Sequence, residues 1–405
     1  MAAGGPGSTI DVMTSRIALR AAAMFDGATA ARDPLVVVED GRIVSVDAGT
    51  RVAPPADAQL VDLPGATLLP GLVDTHVHLG FDAGLDPVAT LAERDPDEVL
   101  DAMAAAAAAQ LSAGVTTVRD LGDRDYLTLA LRERGGLLPT IVAAGPPITS
   151  PGGHCHFLGA ATSGADGVRA AVREHAERGV DVVKVMASGG QMTPGTNWDA
   201  TQFPPEVLRA LVDEAHAHGL PVTAHAHAVD AIRDALAAGA DGLEHATFVT
   251  ADGPRLDEKL LAGVVRRRVA VGLTVGLEMV PGLEPPPDIR RHLPAILGVA
   301  AAICGSGALV VAGTDAGIAP PKPHGVLPRG LVQLTELGMT PLQALTAGTS
   351  VAATVCGLGE RKGRVAPGYD ADLLAVAGDP VTDTTALLRP LQVFAGGRAV
   401  VPVAA

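Results

Sequence analysis

The chain has 405 residues and a formal net charge of −15, with 48% hydrophobic, 19% charged and only 2% aromatic residues. This length exceeds the size at which a single hydrophobic core usually stops growing, so we expect one large domain and a smaller companion. The acidic balance, without a basic stripe interleaved with aromatics, excludes a typical nucleic-acid-binding protein. Three cysteines without a Cys-x-x-Cys spacing, and the lack of a membrane-length apolar run, predict a cytoplasmic protein that does not bind membranes.

Short Val-rich segments separated by turn signals occupy both ends of the chain. Residues 1–14 are expected to form a flexible lead, and residues 17–22, 35–38 and 43–46 are predicted strands hinged on Asp-Gly turns. The segments 371–376 and 393–401 are strand-like as well, with Gly396 and Gly397 as a two-residue turn. Because an isolated hairpin is only marginally stable, we expect both ends to form one small β-sandwich domain, from residues 1–69 and 360–405.

The middle of the chain, residues 70–359, alternates short Val-, Ala- and Leu-rich runs with longer helical patterns. The predicted strands are 72–75, 115–119, 140–144, 182–186, 222–224, 242–244, 269–273 and 309–313. Helices are predicted over 102–110, 205–215 and 229–238. Eight strands alternating with helices predict an α/β fold, a closed (β/α)8 TIM barrel that forms the catalytic domain. An open doubly wound sheet is the alternative.

Side chains that bind metal ions occur at or near the carboxyl ends of five predicted strands. These residues are His76 and His78, Lys184, His225, His245, and Asp315. Residues two apart in a strand face the same side, so His76 and His78 can form half of a metal site. The alternatives are an ion-paired strand lysine for Lys184, hydrogen-bonded core histidines, and a helix N-cap for Asp315.

Longer motifs surround these side chains. They are Pro-Gly-Leu-Val-Asp-Thr-His-Val-His at 70–78, Gly-Val-Thr-Thr-Val-Arg-Asp at 114–120, Val-Lys-Val-Met-Ala-Ser-Gly at 183–189, Glu-His at 244–245, Gly-Thr-Asp-Ala-Gly at 313–317, and residues 363–373. With these motifs the sequence resembles the amidohydrolase superfamily, in the imidazolonepropionase-related branch of Xaa-Pro dipeptidase-like metal-dependent hydrolases with a carboxylated lysine. The resemblance extends over nearly the whole chain.

The resemblance implies a binuclear metal centre. His76, His78 and Asp315 would hold one divalent ion, and His225 and His245 the other. Lys184 would bridge the two ions through a carboxylate derived from CO₂. The expected ions are Zn²⁺, which takes imidazole and carboxylate ligands.

The resemblance also implies a reaction, the hydrolysis of an amide C–N bond by a metal-bridging hydroxide. Asp315 would be the catalytic proton shuttle, and the small-molecule substrates would be dipeptides of the Xaa-Pro type or N-acyl amino acids. The alternative is hydrolysis of a cyclic amide or a urea, as in imidazolonepropionase, hydantoinases or phenylurea hydrolases. Lys184 argues against imidazolonepropionase itself, which lacks the bridging lysine. A non-catalytic metal-binding scaffold is the alternative from another class, and we expect a homo-oligomer.

Several further residues are candidates for substrate binding. The resemblance suggests that His154 contacts the substrate, although His154, Cys155 and His156 could instead form a separate metal site. His227 shares a strand face with His225, so it either contacts the substrate, supports the metal ligands, or is a satisfied core histidine. Arg119 either recognises a substrate charge or forms a buried ion pair.

Two loops add candidates at the mouth of the predicted barrel. A Pro-stiffened loop over 281–292 carries Arg290, Arg291 and His292, and His324 lies in a second loop. Gly330 stands where relatives usually carry a glutamate, which weakens the transfer of their substrate specificity to this chain. Because neither a phosphate-binding loop nor a dinucleotide-binding fingerprint is present, the sequence implies no nucleotide cofactor.

Overall fold

The structure, a computed structural model, describes residues 16–400. Five strands lie at the beginning of this part of the chain. They are β1 (Arg16–Phe25), β2 (Ala30–Arg32), β3 (Leu35–Glu39), β4 (Arg42–Asp47) and β5 (Gln59–Pro70). β3 and β4 form a predicted hairpin, and its turn residues Asp40 and Gly41 have φ angles of 48° and 77°. Positive φ at both central residues matches the strand twist, and Asp-Gly supplies it readily. The predicted lead, residues 1–14, lies outside the described residues.

Nine strands follow in the middle of the chain, and eight of them match the predicted strands. They are β6 (Leu72–Val77), β7 (Val115–Asp120), β8 (Thr140–Ala143), β9 (Val183–Met186), β10 (Val222–Ala228), β11 (Gly242–Thr250), β12 (Gly253–Pro254), β13 (Ala270–Thr274) and β14 (Leu309–Gly313). β6, β7 and β8 form one parallel sheet. β9, β10, β11, β13 and β14 form another, in that order, with the short β12 antiparallel to β11.

The edges of these two parallel sheets are linked. Isolated parallel bridges join Ile148 to Val185 and Val77 to Ala316. Neighbouring strands therefore follow chain order, without the reversal of strand order that a doubly wound sheet requires. β6, β7 and β9 are buried along their whole length, as expected for parallel strands covered on both faces.

Helices alternate with these strands. They are α1 (Pro87–Glu93), α2 (Pro96–Ser112), α3 (Leu127–Arg134), α4 (Gly164–Arg178), α5 (Pro205–Ala217), α6 (Val229–Ala238), α7 (Glu258–Arg267), α8 (Pro287–Gly305), α9 (Leu327–Glu336), α10 (Pro341–Ala347) and α11 (Ser350–Val355). The three predicted helices lie within α2 and α5 and coincide with α6. α2 begins at a capping box, in which Asp95 and Glu98 each accept a hydrogen bond from the other's backbone N–H.

The loop predicted over 281–292 is wrong in its second half. α8 begins at Pro287, so Arg290, Arg291 and His292 lie on the first turns of a helix. Proline at the first position of a helix sacrifices no intrahelical hydrogen bond, because that N–H would have no helical partner. The proline cluster therefore marks the start of α8 rather than a continuous loop.

The last strands are β15 (Leu373–Ala377), β16 (Pro390–Ala395) and β17 (Arg398–Val400). They join the first five strands in one eight-stranded sheet with the order β17-β16-β15-β5-β1-β3-β4, and β2 pairs with β1. β15 lies antiparallel to β5, and Leu19, Leu68, Leu373 and Phe394 belong to one buried cluster. The two chain ends thus share a sheet and a core, while the sandwich domain and its boundaries stay a prediction.

Candidate metal and active site

The imidazoles of His76 and His78 converge on the Asp315 carboxylate. His76 lies in β6 and His78 directly after it, while Asp315 follows β14. The Nε2 atoms of His76 and His78 lie 3.4 and 3.2 Å from Asp315 Oδ1. The backbone N–H of Asp315 donates to the His76 carbonyl over 2.7 Å, which fixes this approach. The three side chains offer ligand atoms within 4.8 Å of one another, as a metal site requires.

Acceptors from β11 and from the segment after β7 hold both imidazoles in orientation. His76 Nδ1 lies 3.0 Å from Glu244 Oε2, and His78 Nδ1 lies 3.1 Å from the Gly122 carbonyl oxygen. An Nδ1–H that donates to such an acceptor leaves the lone pair on Nε2, which is the atom that faces Asp315. Both histidines therefore present a potential ligand atom on the side of Asp315.

A second group consists of His225, His227 and His245, whose ligand atoms also lie within 4.8 Å of one another. The ring of His245 lies 4.7 Å from that of His225 and 5.2 Å from that of His76, between centroids, so the two groups adjoin. Burial, reinforced by the neighbouring histidines, lowers the pKa of His225 and His245 well below the usual range. Both rings are therefore neutral near pH 7, which is the form that binds metal.

Lys184 is buried in β9, with 1% of its surface exposed. Within residues 16–400, it forms no ion pair with a carboxylate, in contrast to the alternative of a paired strand lysine. Burial lowers its pKa, although the Glu244 and Asp315 carboxylates oppose that effect. The same lysine charge lowers the pKa of His76, after burial, and that of His225 and His245. Its amine thus acts electrostatically on both histidine groups.

Glu244 connects the candidate metal ligand His76 to a buried cation, Arg119. Its carboxylate accepts hydrogen bonds from Arg119 Nη2 at 2.8 Å and Thr223 Oγ1 at 2.6 Å, in addition to the contact with His76. Arg119 also donates from Nε to the Thr75 carbonyl at 2.7 Å. The buried ion pair considered for Arg119 is therefore present. The Glu-His sequence motif contains Glu244, but its contacts with His76 and Arg119 are apparent only from the structure, because these residues come from distant parts of the chain.

A second buried carboxylate, Asp74, supports the loop that carries Asp315. It accepts hydrogen bonds from the Thr314 hydroxyl at 2.6 Å and from the Thr314 and His76 backbone N–H groups at 3.0 and 3.3 Å. Burial raises the pKa of Asp74 to about 7 despite these donors. Sequence reasoning missed this role, although Asp74 lies two residues before His76 and so faces the same side of the strand.

A sequence profile of the Amidohydrolase family matches residues 67–400. The chain belongs to the amidohydrolase family. Ochratoxinase from Aspergillus niger is 30% identical over 370 residues, which cover 82% of this chain and 75% of that protein. Imidazolonepropionase from Salinispora arenicola is 29% identical over 369 residues, 85% of each chain. The structure of a prolidase complexed with N-methylphosphonate-L-proline matches with a TM-score of 0.82 and 26% identity, over 95% of this chain and 99% of that one.

These similarities confirm the family recognised in the sequence. The amidohydrolase is a hydrolase that acts on carbon–nitrogen bonds. Among residues 16–400, no helix is both long and apolar enough to cross a membrane.

His154 lies beside the second histidine group of this amidohydrolase. Its ring centroid is 4.7 Å from that of His225, and it packs so closely on Gly190 that a Cβ there would come within 2.5 Å of Nε2. Burial lowers the pKa of His154 to about 3, and its buried Nδ1 has no hydrogen-bond partner within the described chain. A neutral imidazole with one free nitrogen suits a substrate contact.

The separate metal site considered for His154, Cys155 and His156 is absent from the described residues. Only the two histidine groups above bring three potential ligands together there. Burial raises the pKa of the Cys155 thiol to about 12, which disfavours the thiolate that binds metal. His156 Nδ1 instead lies 3.0 Å from the Gly153 carbonyl oxygen.

His227 belongs to the second histidine group and also borders the only tryptophan of the chain. Its Nδ1 lies 2.7 Å from Thr247 Oγ1, and its ring stacks on His245 with centroids 4.5 Å apart. Trp198 lies 6.0 Å from the His227 ring and 5.9 Å from the His292 ring, between centroids. His292 thus reaches the same region although it lies on α8.

The loop between β14 and α9 carries His324 and Lys322. His324 Nε2 lies 2.8 Å from the Phe81 carbonyl oxygen, so its ring is tied to the segment after β6. Lys322 Nζ donates to the Thr274 carbonyl at 2.9 Å. Burial lowers the pKa of Lys322 to about 8, while Asp315 and Asp74 oppose that effect. Sequence reasoning missed Lys322, because nothing local links it to Thr274 at the end of β13.

Proposed function

We propose that this amidohydrolase is a binuclear metal-dependent enzyme that hydrolyses the amide bond of dipeptides, including Xaa-Pro dipeptides, or of N-acyl amino acids. The observation that carries the proposal is the burial of Lys184 beside two adjoining groups of metal-binding side chains. A buried ammonium without a carboxylate partner is costly, whereas a carboxylated lysine between two cations is not.

The donor atoms fit two divalent ions of the zinc type. His76, His78 and Asp315 would hold one, His225 and His245 the other, and carboxylated Lys184 would bridge them. Neutral imidazoles, among them His76 and His78 with their oriented Nε2 atoms, and one carboxylate are the ligands that Zn²⁺ prefers. When bound, a pair of such ions lowers the pKa of water and polarises a carbonyl group.

Carboxylation of Lys184 needs a neutral amine as nucleophile. Burial lowers the pKa of Lys184 and so favours that form. The amine lone pair forms a bond to the carbon of CO₂ while one C–O π bond breaks onto oxygen, and one amine proton passes to water, so that a carbamate anion replaces the neutral amine. The carbamate would attract the metal ions that the neighbouring histidines would hold, whereas an ammonium group would repel them.

Asp315 would move the proton in the hydrolysis. Without metal, burial raises the pKa of Asp315, but the charges of protonated His76 and His78 and a hydrogen bond from protonated His78 outweigh burial and hold that pKa well below the usual range. A bound ion would supply this positive charge in place of the histidine protons. An ionised carboxylate at this position can accept a proton from the attacking water and pass it to the leaving nitrogen. His154, with its free Nδ1, would bind the substrate carbonyl or carboxylate from the side of His225.

The proposal extends to the architecture. We infer that the two parallel sheets form one closed (β/α)8 barrel over residues 70–359, and that residues 1–69 and 360–405 form the companion domain. The bridges at both sheet edges and the sheet shared by the chain ends support this division. In a closed barrel all six ligands would lie at the carboxyl-terminal mouth.

Turnover of a defined substrate panel tests the function. Protein prepared with zinc and bicarbonate should hydrolyse Xaa-Pro or other dipeptides or N-acyl amino acids, and a chelator should abolish this activity. The panel should include lactams and phenylureas, because preferential hydrolysis of these would favour the cyclic-amide or urea alternative. The Lys184→Ala variant is the matched control, and we expect it to lose both bound metal and turnover.

Two outcomes would contradict the proposal. Wild-type protein without bound metal, measured by elemental analysis after this preparation, would refute the binuclear centre. Retained metal without turnover of any amide would favour a metal-binding scaffold.

A further inference from the structure

Lys322 is one of only four lysines in the chain, and it lies next to the candidate metal centre. Its Nζ donates to the Thr274 carbonyl at 2.9 Å, while the Thr274 hydroxyl lies 3.1 Å from His245 Nδ1. A single residue at the end of β13 therefore contacts both a candidate metal ligand and this ammonium group.

The segment around Lys322 is held by its backbone. Gly317 donates to the Lys322 carbonyl over 2.8 Å, and Lys322 donates to the Ala319 carbonyl over 2.8 Å. The Glu278 N–H in turn donates to the Pro321 carbonyl over 2.9 Å, which ties this loop to the loop after β13. The position of the ammonium group is thus determined by two loops at the same end of the parallel strands.

The Lys322 ammonium group forms no ion pair with a carboxylate of the described chain. Within residues 16–400, the carboxylates that act on its charge, Asp315 and Asp74, form no ion pair with it. One of its three N–H donors is used by Thr274, and the side chain is half-buried. A positive charge held in this way can donate its remaining N–H groups to an anionic acceptor that enters the site, in a charge-assisted hydrogen bond.

Other cations near the centre are already used. Arg119 is paired with Glu244 at 2.8 Å, and Lys184 is the residue assigned to the metal bridge. Lys362 lies 3.1 Å from Asp370 in a different part of the structure. Lys322 therefore offers an ammonium group beside the candidate metal centre that is used neither by a carboxylate of the described chain nor by the proposed metal bridge.

We propose that Lys322 binds the free carboxylate of the substrate and so selects dipeptides and N-acyl amino acids over neutral amides. This inference rests on the proposed amide-hydrolase function. In such substrates the carboxylate carbon lies three bonds, at most about 4 Å, from the scissile carbonyl carbon. An anion so close to the reacting bond must fall near the metal ligands, which is where Lys322 and Thr274 lie.

The test compares two substrates in three proteins. The substrates are an N-acyl amino acid with a free carboxylate and the same molecule with a carboxamide in its place. The proteins are the wild type, Lys322→Gln, which keeps a donor for the Thr274 carbonyl without the charge, and Lys322→Arg, which keeps the charge. Metal content and thermal stability are measured for each protein.

We expect Lys322→Gln to lower kcat/KM for the carboxylate substrate by about 10–100-fold and to change that for the carboxamide by less than about threefold. Lys322→Arg should keep most of the preference for the carboxylate. Inhibition provides a readout other than turnover, because the free product amino acid should inhibit the wild type more strongly than its amide does, and this difference should vanish in Lys322→Gln.

Equal losses for both substrates in Lys322→Gln would overturn the inference and assign Lys322 to the support of the loop. An unchanged preference for the carboxylate would overturn it as well. If the wild type loaded with metal hydrolysed neither substrate nor any other amide, the proposed function would fail instead. Should Lys322→Gln fold poorly, the inhibition pattern of Lys322→Arg still decides, since loss of carboxylate selectivity despite a retained cation would contradict charge recognition.

Discussion

Replacing Glu244 by glutamine probes how the fold orients the His76 imidazole. The Glu244 side chain is 1% exposed and accepts hydrogen bonds from Arg119, Thr223 and His76. Glutamine keeps one carbonyl acceptor for these three donors and leaves the buried Arg119 charge without a carboxylate. Removal of one partner from a buried ion pair costs about 3–5 kcal/mol in the free energy of unfolding. Loss of the carboxylate behind a metal-binding histidine lowers metal affinity by about 10–100-fold.

The two effects separate in matched variants. Arg119→Met should also destabilise the protein, but it leaves the Glu244 carboxylate on His76, so metal affinity should stay within about threefold of wild type. The double variant, Glu244→Gln with Arg119→Met, no longer contains an unpaired Arg119 charge. It should regain much of the free energy of unfolding, because replacing both partners of a buried ion pair is often nearly neutral. It should not regain metal affinity, since His76 still lacks its carboxylate acceptor.

Urea unfolding of the metal-free proteins gives the stability, and competition with a chelator gives the metal affinity. Wild-type metal affinity in Glu244→Gln would refute the orientation of His76 by Glu244. The same conclusion would follow if Arg119→Met weakened metal binding as strongly as Glu244→Gln does.

Two further predictions concern other buried carboxylates. Asp315→Asn should abolish most turnover but retain substantial metal, because the amide oxygen can still bind an ion and cannot shuttle protons; near-native turnover would exclude the shuttle. Burial, followed by the nearby Asp120 carboxylate, raises the pKa of Asp123 from 3.8 to about 7. Protonation of Asp123 therefore favours the folded state. This contribution to the free energy of unfolding is fully present below pH 3.8 and is lost as the pH rises through about 7. Asp123→Asn should accordingly gain stability relative to wild type between pH 5 and 8.5 in urea unfolding, and a pH-independent difference would contradict the shifted pKa.

The strands could be predicted from sequence, and most candidate metal ligands could be proposed from it, because their signals are local. A buried parallel strand is a short run of Val, Ala and Leu, and His76 follows such a run directly. Eight predicted parallel strands are expected to meet at their carboxyl ends. This expectation places even residues as distant in sequence as His76 and Asp315 in one site. The start of α8 was not predicted, and a loop was expected there instead, because a proline cluster is compatible with both a loop and the first turn of a helix.

The residues that orient the site could not be predicted, because their partners come from other strands. Glu244 depends on Arg119 from β7 and on Thr223 from β10, and Lys322 depends on a backbone carbonyl 48 residues away. A backbone acceptor has no sequence signature at all. The sequence therefore predicts which side chains meet but not which nitrogen of an imidazole remains free.

The placement of two candidate ligands depends on strained backbone as well. His245 and Asp315 have φ angles of 69° and 61°, in the left-handed region that residues with a Cβ rarely adopt. Each such residue costs about 1–3 kcal/mol, and it persists only where the surroundings fix it. For Asp315 the surroundings include the 2.7 Å hydrogen bond to the His76 carbonyl and the loop held by Asp74. With a negative φ angle, Asp315 would point its carboxylate away from the His76 and His78 imidazoles. The strained φ angle is therefore a consequence of placing a carboxylate at the end of β14, next to the two histidines at the end of β6.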